Sequence, residues 1–304
     1  MFVMILFSIK PSVYLISHEK SQEYDKMMRS YTKTHGGIMA VIHTNFLSKS
    51  LGRQVSFNTI IPTFSIEDAI NQNNHIYSPT KKFKTLWLLH GFTGDENDYL
   101  MYTNVALYAQ KHQIAVIMPP ACNQGYSDDP NGAKHFSFVT KEMIEVARFL
   151  FPLSDLREDN FLAGLSMGAL GAMKISLAFP ELYSKVLLMS GCAMGVTGQP
   201  YSVKWFGSSS DSYSGYIMGN EMHYKDTIED AYYMMKKNKD ENKVLPDYFL
   251  TIGSQDYLIE RCRTAKERFE SHQYPFKYEE VDGYGHNWDF WNLKLKEAFE
   301  SFFK

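Results

Sequence analysis

Residues 161–170 read FLAGLSMGAL, and the pentapeptide GLSMG at 164–168 decides the fold. A short apolar run at 160–163 is typical of a buried strand, and the small-residue-rich segment 168–179 is typical of a helix. A serine between two glycines, on a sharp turn from a strand into a helix, exposes its hydroxyl at the edge of a sheet. The pattern predicts that Ser166 is a nucleophile; the alternative is a capping serine in a glycine-rich turn.

Strand and helix patterns alternate on both sides of this turn. FKTLWLLH and IAVIMPP are apolar runs typical of buried parallel strands, and SKVLLMSG, DYFLTIGS and FKYEEVDG are three further strand candidates. MAVIHTNFLS with RQVSFNTIIPT indicates an antiparallel hairpin. Helical patterns cover 97–112, 138–151, 168–179, 260–273 and the C-terminal segment from Trp291 to Phe302. This succession predicts an α/β fold with a mostly parallel central sheet and helices on both faces.

The composition excludes several classes of protein. With 304 residues, 44% hydrophobic and 21% charged, the chain has ample material for a large core. A formal net charge of −3 gives no general attraction to nucleic acid or to an anionic membrane. Cys122, Cys192 and Cys262 are odd in number and far apart, so we expect no disulfide framework, no metal site and a reducing, cytoplasmic setting.

Two segments differ from the rest of the chain. Residues 1–38 contain an apolar run that is interrupted at Lys10 and Pro11, and we expect a disordered extension before a domain at 39–304. The alternatives are that translation starts at Met39, or that 1–38 is an atypical secretion signal. A segment rich in glycine, serine and aromatic residues, about 193–246, is too long for a simple connection and predicts an insertion over the carboxyl edge of the sheet.

A serine nucleophile needs a base and an acid, which should follow it in the order acid, then base. His286 lies in the glycine-rich loop directly after the last predicted strand, and it is the expected base. Asp256 follows the preceding strand and is the expected acid; Asp282 is a rival, but it lies at the strand end. The backbone N–H groups of Met167 and Phe92 are the expected donors to an oxyanion.

The motifs LLHGFTGDENDY, IMPPACNQGYSDD, GLSMGALGAMK, TIGSQDYLIE and GYGHNWDFW together resemble the putative-esterase branch of the α/β-hydrolases. That branch includes tributyrin-type esterases, S-formylglutathione hydrolases, and acetyl-xylan and feruloyl esterases. The resemblance implies an α/β-hydrolase fold, a triad of Ser166, Asp256 and His286, oxyanion donors at Phe92 and Met167, and no cofactor. It also implies that Asn123 borders the acyl site.

The leading hypothesis is a serine carboxylesterase that hydrolyses short, acetyl-type esters. The alternatives are an acyltransferase on the same fold, or an inactive hydrolase fold that serves as a binding module. Expected partners are a small-molecule ester or an acylated carbohydrate, with no nucleic acid and no membrane; the oligomeric state is open. Trp205 and nearby aromatic residues either line a sugar- or phenol-binding cleft or only pack the insertion onto the domain.

Overall fold

The computed structural model describes residues 39–70, 72, 77–123, 125–129, 132–192, 226–228, 230–274 and 276–304. The predicted extension at 1–38 lies outside the described residues. So does most of the predicted insertion, 193–225, and with it Trp205.

One sheet of eight strands organises the described residues. Its strands are β1 Met39–Ser48, β2 Arg53–Pro62, β3 Lys84–Leu89, β4 Ile114–Met118, β5 Asn160–Leu165, β6 Lys185–Met189, β7 Asp247–Gly253 and β8 Phe276–Val281. They lie in the order β1-β2-β4-β3-β5-β6-β7-β8. The predicted hairpin is present, with β1 antiparallel to β2 and β2 antiparallel to β4, and all other pairs are parallel. The mostly parallel sheet is thus confirmed.

Helices cover both faces of this sheet. They are α1 Ile66–Ile70, α2 Asp98–Tyr102, α3 Val105–His112, α4 Met143–Leu150, α5 Met167–Ala178, α6 Ala231–Asp240, α7 Ile259–Ser271 and α8 Trp288–Glu297. Side chains of β5 alternate between two apolar cores, since Phe161 and Ala163 join the core under α3 and α8, and Leu162 joins the core under α4, α5 and α7. A strand that is buried on both faces reads as a continuous apolar run.

Two helices differ from their sequence patterns. The helix expected over 97–112 is two helices, α2 and α3, because Thr103 is extended and the Asn104 N–H donates to Asn292 Oδ1 at 2.9 Å. A π-helical turn, Phe138–Glu142, precedes α4 and changes the spacing of the apolar face. Leu150, expected on the buried face, is the last residue of α4 and is 45% exposed.

The strand order places two loops side by side. The chain goes from β3 outward to β4, and then crosses back to β5 on the other side of β3. The loops that follow β3 and β5 therefore leave adjacent strands in opposite directions and open a crevice at the carboxyl edge, where open α/β sheets bind ligands. Ser166 and Phe92 follow β5 and β3, so both lie at this crevice.

Helix α6 is the described part of the predicted insertion. It packs against α5, and the Asn238 side chain donates to the Leu177 carbonyl at 2.7 Å. Among the described residues, no helix is both long enough and apolar enough to cross a membrane.

Candidate active site

The turn from β5 into α5 holds Ser166 in a rare backbone conformation, with φ 52° and ψ −116°. Such a conformation costs about 1–3 kcal/mol and persists only where the surroundings impose it. A Cβ on Gly164 would lie 2.2 Å from the Gly168 carbonyl oxygen, and a Cβ on Gly168 would lie 2.2 Å from the Leu89 carbonyl oxygen. The two glycines of the motif are therefore required by close backbone contacts, both within the turn and against β3.

Neighbouring strands fix the turn further. The Ser166 N–H donates to the Met189 carbonyl at the end of β6, at 2.9 Å. A Cβ on Gly191 would lie 2.5 Å from the Ser166 carbonyl oxygen, so the loop after β6 is pressed against the serine backbone. Ser166 itself is half-buried, which leaves its hydroxyl able to meet a substrate.

Asp256 and His286 form a hydrogen-bonded pair on the loops after β7 and β8. His286 Nδ1 lies 2.9 Å from Asp256 Oδ2, and the other carboxylate oxygen accepts from the Leu258 N–H at 2.9 Å. The carboxylate is fully buried, whereas 15% of the imidazole is exposed. The Gln255 N–H also donates to the Tyr284 carbonyl at 2.8 Å, so backbone contacts hold the two loops together. The arrangement orients the ring and leaves Nε2 for another partner.

The rival carboxylate has a different partner. Asp282 Oδ1 accepts from the Ser254 hydroxyl at 3.0 Å, and Ser254 Oγ in turn accepts from the Gly283 N–H at 3.1 Å. Asp282 is exposed and stabilises the turn after β8. Of the two carboxylates considered in the sequence, the structure pairs Asp256 with the imidazole.

Aromatic rings flank the imidazole on two sides. The His286 ring centroid is 5.0 Å from Trp291, edge to face, and 4.7 Å from Tyr257. Trp291 is buried, and its Nε1–H donates to Ser190 Oγ at 2.9 Å, next to the loop that is pressed against Ser166. Trp291 thus connects the histidine loop with the turn that carries the serine.

The sequence pattern predicts Trp291 only as a residue on the apolar face of a helix. A helical pattern gives the same signal for a tryptophan in the core and for one that touches a functional imidazole. The sequence signal for a role near the site is that Trp291 lies five residues after His286.

The loop after β3 lies against the serine turn. A Cβ on Gly91 would lie 2.6 Å from the Leu165 side chain and 3.6 Å from Ser166 Cβ. The Phe92 N–H makes no hydrogen bond within the described part of the chain. Met167 is the first residue of α5, so its N–H has no acceptor inside the helix. Both expected oxyanion donors therefore belong to backbone segments that border Ser166.

His90 joins this loop to the loop after β4. Its Nε2 accepts from the Ala121 N–H at 2.8 Å, so Nδ1 carries the proton and donates to the Gly91 carbonyl at 2.8 Å. Burial lowers the pKa of His90 below the ordinary 6.5, and the carboxylates of Asp98, Asp95 and Glu96 only partly oppose this effect. The ring is a neutral bridge between two backbone groups.

Asn123 is also directed at the loop after β3. Its Oδ1 accepts from the Thr93 N–H at 2.7 Å, and Thr93 has a φ of 67°.

No group of three or more metal-binding side chains occurs among the described residues, and the three cysteines are free thiols.

Comparison with known proteins identifies the family. The family model described as putative esterase matches residues 65–302. The chain belongs to the putative esterase family. It is 29% identical, over 267 residues, to the acetyl esterase of Caldicellulosiruptor saccharolyticus, and the match covers 86% of this chain and 97% of that enzyme.

Solved structures agree with this assignment. FphF, a fluorophosphonate-binding serine hydrolase of Staphylococcus aureus, superimposes with a TM-score of 0.72 at 27% identity, over 88% of this chain and 100% of that one. The S-formylglutathione hydrolase FrmB of the same organism gives 0.72 at 28% identity, with the same coverage. A ferulic acid esterase gives 0.67 at 19% identity, covers 87% of this chain and 97% of that one, and shares the fold. This esterase has the α/β-hydrolase fold and is a serine-dependent carboxylic ester hydrolase.

Proposed function

We propose that this esterase hydrolyses short acyl esters, of the acetyl type, through an acyl-enzyme formed on Ser166. The hydrogen bond between His286 and Asp256, together with the strained turn that carries Ser166, supports the proposal. The esters are those of small alcohols or of an acylated carbohydrate. The acetyl esterase that matches 86% of this chain supports the choice of acyl group.

In the proposed first half-reaction, Ser166 Oγ attacks the ester carbonyl while neutral His286 takes its proton. Asp256 holds the imidazole by Nδ1 and stabilises the imidazolium. The N–H groups of Phe92 and Met167 donate to the oxyanion of the tetrahedral intermediate. When the intermediate collapses, the carbon–oxygen bond to the alcohol breaks and His286 returns the proton to the leaving oxygen.

In the second half-reaction, water attacks the acyl-enzyme. His286 takes a proton from the water, the bond to Ser166 Oγ breaks, and the serine recovers its proton as the short carboxylic acid leaves. Each step moves one proton through the same imidazole nitrogen, so the proposed chemistry needs only groups of this chain and water.

Hydrolysis of p-nitrophenyl esters of increasing chain length, with acetylated xylan and methyl ferulate alongside, tests the proposal. We expect the acetyl and other short esters to give the highest kcat/KM, and Ser166→Ala to abolish turnover. Ser301→Ala is a matched control, because that hydroxyl donates to the Glu297 carbonyl on the exposed surface. A folded wild-type protein inert on every ester, or as active as Ser166→Ala, would refute the mechanism, and a preference for long acyl chains would refute the substrate class.

We infer that the enzyme works in a reducing compartment such as the cytoplasm. The support is that Cys122, Cys192 and Cys262 are all free thiols. Fractionation of cells that express the native gene, with detection of the protein by antibody, tests this inference. Recovery of the protein from the culture medium would contradict it.

A further inference from the structure

The loop after β3 contains a strained residue that the proposed mechanism does not use. Thr93 has a φ of 67°, in the left-handed region of the backbone. A β-branched residue is a genuine outlier there, because its branched side chain crowds the backbone. Thr93 directly follows Phe92, so its conformation sets the direction of the peptide groups next to the proposed oxyanion donor.

A side chain from another loop holds Thr93. Asn123 Oδ1 lies 2.7 Å from the Thr93 nitrogen, across a sequence separation of 30 residues. The donor is a backbone N–H, so the side-chain atom that it meets must be the amide oxygen, an acceptor.

The loop that carries Asn123 is itself anchored to His90, the residue directly after β3, both before and after Asn123 in the chain. The Ala121 N–H donates to His90 Nε2 at 2.8 Å, and the buried Tyr126 hydroxyl donates to the His90 carbonyl at 2.9 Å. Both anchors end on His90, which is buried. The Asn123 amide is therefore presented to Thr93 from a fixed base, which is the condition under which a strained conformation persists.

We propose that Asn123 is a positioning residue of the oxyanion hole: its amide oxygen keeps Thr93 in the left-handed conformation and thereby directs the Phe92 N–H at the crevice. This inference rests on the proposed function, because it takes Phe92 as an oxyanion donor. The resemblance implies that Asn123 borders the acyl site, and the role proposed here is exerted there through contact with the protein's own backbone.

Four full-length variants test the inference: Asn123→Ala, Asn123→Asp, Thr93→Gly and the double variant Asn123→Ala/Thr93→Gly. We expect Asn123→Ala to lower kcat on a short p-nitrophenyl ester about tenfold with KM within about twofold, since loss of a whole oxyanion donor costs about a hundredfold or more. Asn123→Asp should keep most of the activity, because a carboxylate oxygen also accepts from the Thr93 N–H.

Introducing Asn123→Ala into the Thr93→Gly variant provides the decisive comparison. Glycine adopts a positive φ without strain, so position 93 no longer needs to be held. We expect Asn123→Ala to lower kcat less than about threefold when it is introduced into Thr93→Gly, against about tenfold in the wild-type background.

Gln110→Ala is the matched control for general loss of stability. Gln110 Oε1 accepts the Thr63 N–H at 2.9 Å, as Asn123 accepts that of Thr93. Because β2 is antiparallel to β4, the end of β2 lies beside the start of β4. Thr63 follows the end of β2, so it lies at the edge of the sheet opposite the crevice. This variant should lower the melting temperature at least as much as Asn123→Ala, without the fall in kcat.

Two results shared by both backgrounds would overturn the inference, as would a wild-type kcat in Asn123→Ala. One is a rise in KM at unchanged kcat, of equal size in both backgrounds, which would mean that Asn123 binds the substrate. The other is a fall in kcat of equal size in both backgrounds. Ser166→Ala, measured in parallel, separates the two claims: if it stays active, the proposed function fails, whereas if it is inactive and Asn123→Ala keeps wild-type kcat, only the positioning role fails.

Discussion

The turn after β5 and the loop after β3 lie side by side at the crevice, yet they are held in different ways. The turn after β5 is shaped by its own glycines, since side chains at Gly164 or Gly168 would collide with backbone atoms. The loop after β3 is shaped by side chains, because its own His90 and Asn123 of the loop after β4 connect the two loops. The first depends on the absence of side chains at two positions of a short motif, and the second depends on side-chain hydrogen bonds between two loops.

After the loss of Ser166 itself, the largest effect is expected from the acid of the proposed triad. Asp256→Asn should lower kcat about 10⁴-fold, because it removes the charge that stabilises the imidazolium and disturbs the tautomer. Asp282→Asn is the matched control, since that carboxylate accepts from Ser254, and it should change kcat less than about twofold. Steady-state kinetics on one short ester measures both variants; a larger effect at Asp282 would reverse the assignment.

The packing of the turn after β5 is tested by adding one methyl group at position 168. Gly168→Ala would place a Cβ 2.2 Å from the Leu89 carbonyl oxygen, so we expect it to lower the free energy of unfolding by about 3 kcal/mol or more. In Gly285→Ala, by contrast, the nearest atoms lie 3.8 Å from the new Cβ, and the change should stay within about 0.5 kcal/mol. Urea denaturation compares them, and equal losses would mean that the turn can relax around a side chain.

Trp291 and Tyr257, the two aromatic residues beside the His286 imidazole, differ in burial, so their substitution should lower kcat by different amounts. Trp291→Phe leaves Ser190 Oγ without its donor in a buried setting, so we expect kcat to fall about tenfold. Tyr257 is 65% exposed, and Tyr257→Ala should cost less than about threefold. Kinetics with both variants on the same ester checks this order, which a larger loss at Tyr257 would contradict.

The smallest expected effect is on the stability of the protein at acidic pH, through His90. His90 has a folded pKa below 6.5, so an unfolded chain binds this proton first as the pH falls. Its contribution to stability is therefore complete above pH 6.5 and is lost on acidification toward the lower, folded pKa, by at most about 1.4 kcal/mol per pH unit. His90→Asn should flatten the fall in unfolding free energy between pH 6.5 and more acidic values, as followed by urea denaturation at each pH. An unchanged slope would mean that His90 is not the group that titrates.

The contrast between the two loops also explains what the sequence could predict. The strands, their parallel order, and the pairing of Asp256 rather than Asp282 with His286 follow from apolar runs and from the positions of residues after strand ends. The contacts of Trp291 and Asn123 do not, because each depends on how separate loops meet in space. Likewise, the contact between Asn104 and Asn292, at the break between α2 and α3, joins residues that no local pattern connects.

Labelling with a fluorophosphonate ester tests the central claim, that Ser166 is the nucleophile, most directly. The serine oxygen would attack phosphorus, the phosphorus–fluorine bond would break, and fluoride would leave, so the adduct stays on the enzyme. Peptide mapping of the full-length protein should find one phosphonyl group on the peptide that contains Ser166, and none on the folded Ser166→Ala variant. Stoichiometric labelling of Ser166→Ala, or an adduct on any other residue of the wild type, would contradict the account.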